Sequence, residues 1–243
     1  MSTITVIMLN FRRRENVPRI LDALSTQTVK PTIWLWNNGR QPLRDARVDM
    51  EVVADRNWHC WPRWFLASYA TTDHVMMIDD DIVPACDRML EAAIDSLEGQ
   101  DAFDTIVGAE GVVLGPARTY WHSYPGKAAR SEVGSMQGSI HVKKVVADIA
   151  VDIVKGRCLV VRTAALKTLP LSPAHRDTCD DIAVSGLLAR GRSRAHLVSA
   201  ALGRALDDIP DTEPSIALSS ISDWRDVREL AKAHYFGASE TTP

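Results

Sequence analysis

The sequence predicts an α/β fold in which helices flank a mostly parallel central sheet. Two patterns in the first 100 residues support this prediction. Short apolar runs rich in β-branched residues, typical of buried strands, alternate with segments whose apolar residues recur at helical spacing. Their order is strand, helix, strand, strand, helix, strand, helix, and this alternation is typical of a parallel sheet covered by helices.

Local signals set the limits of these elements. Pro18 suits the first turn of the first helix, and Pro31 prevents that helix from continuing. The second strand ends at the turn Asn37-Asn38-Gly39. The predicted strands are residues 4–9, 32–36, 50–54 and 74–78, and the predicted helices follow a cap at Asn16, begin at Trp61 and follow a cap at Asp87. The third helix should bury Met89, Leu90, Ala93, Ile94 and Leu97.

The second half of the chain is less regular. Residues 105–114 are predicted as strand with glycine breaks, residues 158–161 as a strand and residues 180–190 as a helix. Residues 116–138 contain many glycine, serine and aromatic residues, and we predict a loop there. Within it, the aromatic run 120–124 fits either a platform on which sugars or bases stack or a packed hairpin tip.

The overall composition is that of a globular protein and excludes some classes. The chain has 243 residues, of which 46% are hydrophobic and 24% charged. A net charge of −3 argues against a protein that binds nucleic acid over its whole surface. Its cysteines are widely spaced and form no Cys-x-x-Cys pair, so we interpret them as reduced thiols and not as zinc ligands.

The N-terminal segment does not have the pattern of a secretory signal. Its apolar run precedes the basic cluster Arg12-Arg13-Arg14, which is the reverse of the order in a signal peptide. No window reaches the roughly 18 uncharged apolar residues that a membrane-spanning helix needs. We therefore expect a cytoplasmic protein without stable membrane insertion.

Three consecutive carboxylates, Asp79, Asp80 and Asp81, directly follow the fourth predicted strand. Like charges this close repel one another and push some groups towards protonation, so a cation should offset them. Mg²⁺ or Mn²⁺ suits this role because it prefers carboxylate oxygen and leaves positions for phosphate and water. Alternate residues of an extended segment face the same side, so Asp79 and Asp81 should face a ligand while Asp80 points to backbone or a basic partner. A solvated acidic loop that caps the next helix is the simpler alternative.

Polar clusters follow three of the predicted strands, at residues 10–14, 37–38 and 79–81. Ligands of such sheets bind beyond the carboxyl ends of the strands, so these clusters should converge on one crevice. A second acidic pair, Asp180-Asp181, opens the late helix. This pair is either a cap stabilised by the helix dipole or a base that orients or deprotonates a substrate hydroxyl.

Three motifs, in this order, resemble those of GT-A glycosyltransferases. They are Ile-Trp-Leu-Trp-Asn37-Asn38-Gly, Val-Met-Met-Ile-Asp79-Asp80-Asp81-Ile-Val and Thr-Cys-Asp180-Asp181-Ile-Ala. The exostosin-like branch is nearest in motifs, and the general inverting GT-A family is second. The resemblance implies a GT-A (nucleotide-diphospho-sugar transferase) fold with a Rossmann-like sheet. It implies one domain over residues 1–236, with a nucleotide-sugar-binding half (1–100) and an acceptor-binding half (101–236), before a flexible tail (237–243).

The resemblance also implies roles for individual residues. Asp81 would be the principal metal ligand, and Asp79 would contact the ribose, the metal or a metal-bound water. A downstream histidine often completes such metal sites, and His196 is the candidate, with His234 as the alternative. The residues expected to bind the sugar nucleotide are Asn10, Phe11, Arg12, Asn38, Arg63, Asp79 and Asp80.

On the acceptor side, the resemblance assigns the catalytic role to Asp181, together with Asp180. Asp180 stands where the family usually has Glu, which shortens its reach by one methylene. A cluster of tryptophans, Trp58, Trp61 and Trp64, precedes the acidic triplet and is either core or the edge of a sugar-nucleotide pocket. There Arg63 could bind the diphosphate with two hydrogen bonds.

These expectations describe a metal-dependent enzyme that transfers a hexosyl or N-acetylhexosaminyl group from a nucleoside-diphosphate sugar to an acceptor hydroxyl. A UDP-sugar with Mn²⁺ or Mg²⁺ is the first choice, while glycan, protein, lipid and modified nucleobase acceptors, the stereochemistry and the oligomeric state stay open. One alternative is a sugar-phosphate nucleotidyltransferase, against which the lack of glycine in residues 10–14 argues. The other is a catalytically silent module that binds sugar nucleotides.

Overall fold

A computed structural model describes residues 2–115, 120, 139–170, 179–210 and 224–237. It confirms the predicted α/β fold. The first half contains, in order, β1 (Ile4–Asn10), α1 (Asn16–Ser25), β2 (Thr32–Asn37), β3 (Met50–Val53), α2 (Pro62–Ser68), β4 (His74–Asp79), β5 (Ile82–Pro84) and α3 (Met89–Glu98).

The second half adds shorter strands and four more helices to the described part of the chain. They are β6 (Ile106–Gly108), β7 (Glu110–Val113), β8 (Ile140–Lys143), β9 (Ile149–Val151), β10 (Ile153–Val154), β11 (Cys158–Arg162), α4 (Thr163–Leu166), α5 (Asp180–Ala189), β12 (His196–Val198), α6 (Ala200–Arg204), β13 (Leu206–Asp208) and α7 (Trp224–Phe236).

The central sheet has eight strands in the order β3-β2-β1-β4-β11-β6-β12-β9. Its first four strands are parallel, as predicted, and β11 then runs antiparallel between β4 and β6. The carboxyl ends of the four parallel strands therefore share one edge of the sheet with the beginning of β11. A smaller sheet, β10-β7-β8, stands beside the large one, and β13 pairs with β5.

Apolar helices cover both faces of the sheet, which explains why β1 is buried over its whole length. On one face, α1 and α3 pack against β1, β4 and β11, and all five residues of the stripe predicted for α3 are buried. On the other face, α2 and α5 supply Trp64, Ala67, Val184 and Leu188 to a second core. This two-sided burial fixes the position of β4 and thus of the residues at its end.

The structure corrects several local predictions. Asn16 does not cap α1, since its side-chain amide donates to the carbonyl of Asp80 at 2.8 Å. Asp87 does not cap α3, whose N-cap position is Arg88 and has no side-chain cap. The predicted strand at residues 105–114 is two strands separated at Ala109. The short strand β5 and the helix α7 had no counterpart among the predictions.

Some predictions concern residues outside the described ranges. The predicted loop at 116–138 is described only at Tyr120, and the predicted tail is described only at Gly237. No helix in the described ranges is long and apolar enough to cross a membrane.

We predict that Gly108→Ala destabilises the fold by about 1–3 kcal/mol, the usual effect of overpacking a filled core. Gly108 ends β6, and an added Cβ would lie 2.3 Å from Val154 Cγ1 and 3.0 Å from the carbonyl oxygen of Cys158. Gly203→Ala is the matched control, because no atom lies within 4 Å of its added Cβ and alanine favours the helix α6. Urea denaturation measures both, and equal unfolding free energies for the two variants would contradict the close packing at Gly108.

Candidate active site

The carboxyl ends of β1, β2 and β4 meet at one edge of the sheet, and the structure brings their polar clusters together there. The backbone N–H of Asn38 donates to the carbonyl of Asn10 at 2.9 Å. The side-chain amide of Asn10 donates to Asp80 Oδ2 at 3.2 Å. The polar clusters that the sequence predicts to converge therefore lie together at the end of β4.

Asp80 points inwards and holds the loop between β1 and α1. Its carboxylate accepts from the backbone N–H of Phe11 at 2.8 Å and from Arg13 Nη1 at 2.9 Å. Burial raises the pKa of Asp80, while the hydrogen bonds from Phe11 and Arg13 oppose that rise. Asp80 therefore points to backbone and to a basic partner, as the sequence predicts. Its carboxylate is buried and its hydrogen bonds hold the loop, and its contact with a sugar nucleotide stays a prediction.

Asp79 is paired with Arg63, which lies almost entirely below the surface. Arg63 Nη1 donates to Asp79 Oδ1 at 2.8 Å and to the carbonyl of Gly156 at 2.7 Å. Arg63 Nε and Nη2 contact Asp180 Oδ2 at 2.8 and 2.7 Å. The guanidinium of Arg63 is 3% exposed and bridges the carboxylates of Asp79 and Asp180. Its binding of a diphosphate stays a prediction.

Asp81 is paired with Arg157, from the loop before β11. Arg157 Nε donates to Asp81 Oδ1 at 3.1 Å. The same guanidinium lies 2.9 Å from Glu110 Oε1 and 2.8 Å from Asp208 Oδ1. Arg157 therefore ties the acidic triplet to β7 and β13.

One oxygen each of Asp79 and Asp81 is left without a hydrogen bond from the described residues. The nearest cation to Asp81 Oδ2 is Arg13 Nη1 at 4.0 Å, beyond hydrogen-bonding distance. The side chains of Asp79 and Asp81 are 30% and 21% exposed, so both reach the crevice. Desolvation raises the pKa of Asp79 to about 7; Arg63 opposes this rise, and Asp81, Asp80 and Asp180 increase it. Arg63 and Arg157 thus offset only part of the repulsion among the carboxylates of the acidic triplet.

These two carboxylates fit a divalent cation. No group of three or more His, Cys, Asp or Glu side chains within the described residues is arranged to hold a metal ion. However, Mg²⁺ is usually bound through one or two carboxylates, with substrate phosphates and water completing its coordination. Asp79 Oδ2 and Asp81 Oδ2 would be the two ligands of such a cation at the end of β4.

Asp181, the predicted catalytic residue, forms a buried ion pair with Arg228 of α7. Arg228 Nη2 lies 2.9 and 2.8 Å from the two carboxylate oxygens and 2.7 Å from the hydroxyl of Tyr120. Asp181 is 6% exposed and Arg228 4% exposed. The oxygens of Asp181 face Arg228, and the pair anchors α7 to α5. The role of Asp181 at an acceptor hydroxyl stays a prediction.

Asp180, the predicted partner of Asp181, is also internal. Besides Arg63, it accepts from Trp64 Nε1 at 2.7 Å. Its side chain is 3% exposed. Asp180 therefore connects α5 to α2 and offers its carboxylate to no acceptor in the described structure.

The other predicted nucleotide-binding residues divide into two groups. Asn10 and Asn38 are buried, and the carbonyl oxygen of the Asn38 side chain accepts from Trp36 Nε1 and from the backbone of Trp58, each at 2.9 Å. Asn38 therefore holds the adjacent loop in place. Phe11 is half-buried and Arg12 exposed, with the Arg12 guanidinium 5.0 Å from the Phe11 ring centre. These two side chains remain accessible at the edge of the crevice.

The three tryptophans before the triplet also differ from one another. Trp61 and Trp64 are buried and belong to the core. Trp58 is 43% exposed, and the Arg56 guanidinium lies 4.0 Å from its ring centre. Only Trp58 keeps the surface exposure that a pocket edge requires.

The prediction of His196 as a metal ligand is corrected. His196 lies in β12 and is 2% exposed. Its Nδ1 accepts from the backbone N–H of Ile106 at 3.1 Å, and its Nε2 lies 2.8 Å from the carbonyl of Ser185. With both nitrogens bound to backbone groups, the ring has none left for a metal. His234, the alternative, is exposed near the end of α7.

Four charged residues of the site were not identified from the sequence. Arg13 stood within the noted basic run, but Lys155, Arg157 and Arg228 carried no recognised motif. Gly156 was the one feature of the sequence that could have indicated a close contact here. In the structure, a Cβ added to Gly156 would lie 2.3 Å from Arg63 Nη2. The glycine between Lys155 and Arg157 thus permits the close approach of Arg63.

Comparison with known proteins identifies the fold class. No protein-family description and no curated protein matches this sequence. Among solved structures, glucosyl-3-phosphoglycerate synthase from Mycobacterium tuberculosis, in complex with Mn²⁺, UDP and phosphoglyceric acid, superposes with a TM-score of 0.59 at 13% identity. That alignment covers 99% of this chain and 80% of the synthase.

Two further structures agree. A mycobacterial protein superposes with a TM-score of 0.60 at 13% identity, covering 99% of this chain and 76% of its own. The mannosyltransferase PcManGT from Pyrobaculum calidifontis, in complex with GDP-Man and Mn²⁺, gives 0.51 at 14% identity, covering 82% of this chain. This chain spans only 57% of the length of that mannosyltransferase. The architecture is therefore the GT-A fold, as the motifs predicted, and at such low identity the likeness concerns the fold alone.

We predict that Arg228→Met lowers the free energy of unfolding by about 3–5 kcal/mol, because it leaves the Asp181 carboxylate buried without its partner. Adding Asp181→Asn should recover part of that loss, since the uncompensated charge is then removed. Arg88→Met is the matched control, because Arg88 forms an exposed pair with Glu91 and its loss should change stability little. Chemical denaturation measures all three, and a stable Arg228→Met protein would show that the pair does not anchor α7.

Proposed function

We propose that this chain is a metal-dependent glycosyltransferase, which moves a sugar from a nucleoside-diphosphate sugar to an acceptor hydroxyl. The observation that carries this proposal is a pair of oxygens, Asp79 Oδ2 and Asp81 Oδ2, at the carboxyl edge of a GT-A sheet. Neither accepts a hydrogen bond from the part of the chain that the structure describes. Ligands of such sheets bind at this edge. Residues 1–100 would form the donor half and residues 101–236 the acceptor half.

In this proposal the side chains of the triplet have different functions. Asp81 and Asp79 hold a divalent cation through their unbonded oxygens, and Arg63 and Arg157 fix the orientation of the two carboxylates by binding the other oxygen. Asp80 positions the loop that carries Phe11 and Arg12, which would lie beside the nucleotide. When bound, the cation supplies neutralisation of the charge that develops on the departing diphosphate.

The choice of donor follows from the comparison structures. Their complexes contain Mn²⁺ with GDP-Man in one case and Mn²⁺ with UDP in another. We propose Mn²⁺ or Mg²⁺ as the cation and a UDP-sugar as the first donor to test, with a GDP-sugar second. We also propose that the transferred group is a hexosyl or N-acetylhexosaminyl group. The proposed relationship of this chain to the exostosin-like branch is part of the same proposal.

A second candidate is a module that binds sugar nucleotides without turnover. The observation that favours it is the burial of both acids of the predicted catalytic pair. Asp180 is held by Arg63 and Trp64, and Asp181 by Arg228, so neither is placed to take a proton from an acceptor. Turnover of the donor separates the two candidates.

We predict that Asp81→Asn weakens the Mn²⁺-dependent binding of UDP or GDP by at least about tenfold, since loss of even an outer partner of a metal ligand typically costs that much. Asp207→Asn is the matched control, because Asp207 is exposed in β13 and forms no ion pair with the described residues. Calorimetry with and without Mn²⁺ measures binding, and release of UDP from UDP-glucose or of GDP from GDP-mannose measures turnover.

The outcomes separate the proposals. Wild-type turnover that requires Mn²⁺ and is lost in Asp81→Asn supports the transferase. Metal-dependent binding without turnover of either donor supports the silent module. Equal Mn²⁺-dependent affinity in wild type and Asp81→Asn contradicts the proposed metal ligand.

A further inference from the structure

Two lysines flank a glutamate in a row across the small sheet. Glu110 of β7 is paired with Lys143 of the antiparallel strand β8. On its other side, the backbone N–H of Lys155 donates to the carbonyl of Glu110 at 2.9 Å, which continues the pairing of β10 with β7. Residues directly opposite one another in neighbouring strands point to the same face. Lys143, Glu110 and Lys155 therefore lie side by side, and we call them the lysine row.

The lysine row belongs to the acceptor half of the crevice. The next residues on the same face, Val112 and Ile153, pack against Tyr120 and the first turn of α5. The pKa of Lys155 is lowered, mainly because the ammonium is partly buried. The charges of Asp181 and Arg228 also act on this pKa. The row is joined to the acidic triplet through Arg157, which binds both Glu110 and Asp81.

Lys155 differs from the arginines of the site because its ammonium donates no hydrogen bond to the residues that the structure describes. Its nearest acidic atom is Glu110 Oε2, at 3.8 Å, and the other oxygen of Glu110 is held by Arg157. By contrast, Arg13, Arg63, Arg157 and Arg228 each bind a carboxylate at 2.9 Å or less. Lys155 is only 28% exposed, so water solvates a minor part of it. A partly buried ammonium with no hydrogen bond favours binding of an anion.

The charges of the row leave a surplus of positive charge. The row itself contains two lysines and one glutamate, so it carries one net positive charge. Arg157, which also binds Glu110, is shared with Asp81 and Asp208. Lys143 is exposed and forms no ion pair with the described residues. An oxyanion beside Lys155 and Lys143 would balance this charge without displacing any existing pair.

We propose that the lysine row binds an anionic group, a phosphate or a carboxylate, on the acceptor substrate. The assignment of the anion to an acceptor substrate rests on the proposed function. Binding of an anion by the row does not. The donor diphosphate is a less suitable occupant, because the carboxylates that would hold its cation face Arg13, Arg63 and Arg157. The charges that act on Lys155 are instead those of Glu110, Asp181, Arg228 and Lys143.

The first experiment titrates inorganic phosphate into the protein without metal or nucleotide and follows binding by the width of the ³¹P resonance. Lys155→Met should weaken phosphate binding by about tenfold or more, as expected when a charge-assisted hydrogen bond is lost. Lys144→Met is the matched control, since Lys144 lies beside the row and is already bound to Asp208 at 2.9 Å. Equal phosphate affinity in wild type and Lys155→Met, or no phosphate binding by wild type, overturns the proposal.

A second experiment distinguishes the acceptor from the donor diphosphate. UDP and GDP are titrated by calorimetry in the presence of Mn²⁺ into wild type and Lys155→Met. Unchanged affinity together with weakened phosphate binding supports an acceptor subsite. A loss of affinity for UDP or GDP comparable to the loss for phosphate assigns Lys155 to the diphosphate and overturns the acceptor subsite.

The two proposals fail in distinguishable ways. If wild type binds neither nucleotide with Mn²⁺ but binds phosphate through Lys155, the proposed function fails and anion binding by the row stands. If wild type binds a nucleotide with Mn²⁺ but Lys155→Met leaves phosphate binding unchanged, the proposed function stands. The proposal that the lysine row binds an anion is then wrong.

Discussion

Repulsion among three neighbouring carboxylates is the constraint on which the rest of this site depends. Asp79, Asp80 and Asp81 leave a buried strand together, and each meets a different arginine. These arginines come from the loop after β1, from α2 and from the loop before β11. Because Arg63 also reaches α5, and Arg157 also reaches β7 and β13, neutralising the triplet connects distant parts of the chain at one edge of the sheet.

The arginines do not neutralise the triplet completely. Within the described ranges, Asp79 and Asp81 each keep one oxygen without a hydrogen bond. The pKa of Asp79 is raised to about 7 by desolvation and by its acidic neighbours. A further cation at this position would relieve that repulsion, and a divalent ion would also attract a diphosphate. The same imbalance, with opposite sign, exists around Lys155, where positive charge exceeds negative charge. If the proposed function is correct, the acidic residues would serve the donor and the lysine row the acceptor.

The likeness to GT-A structures gives these charges their geometric setting but not their chemistry. Unrelated functions occur on the same fold, so the argument for function rests on particular atoms at the end of β4. The burial of Asp181 against Arg228 illustrates the difference, because a residue in the position of a family motif has a structural contact here. That ion pair holds α7 against α5.

The sequence by itself determined β1 to β4, α1 to α3 and the inward direction of Asp80, because periodicity and side-chain alternation depend only on residues a few positions apart. It could not identify the partners of the charged residues. Arg63 binds Asp180 across 117 residues, and His196 uses both nitrogens on backbone groups of other elements. Such contacts depend on the antiparallel direction of β11 and on the packing of α5 and α7. Buried charges need partners in space, and only the tertiary structure decides which residues are near enough to supply them.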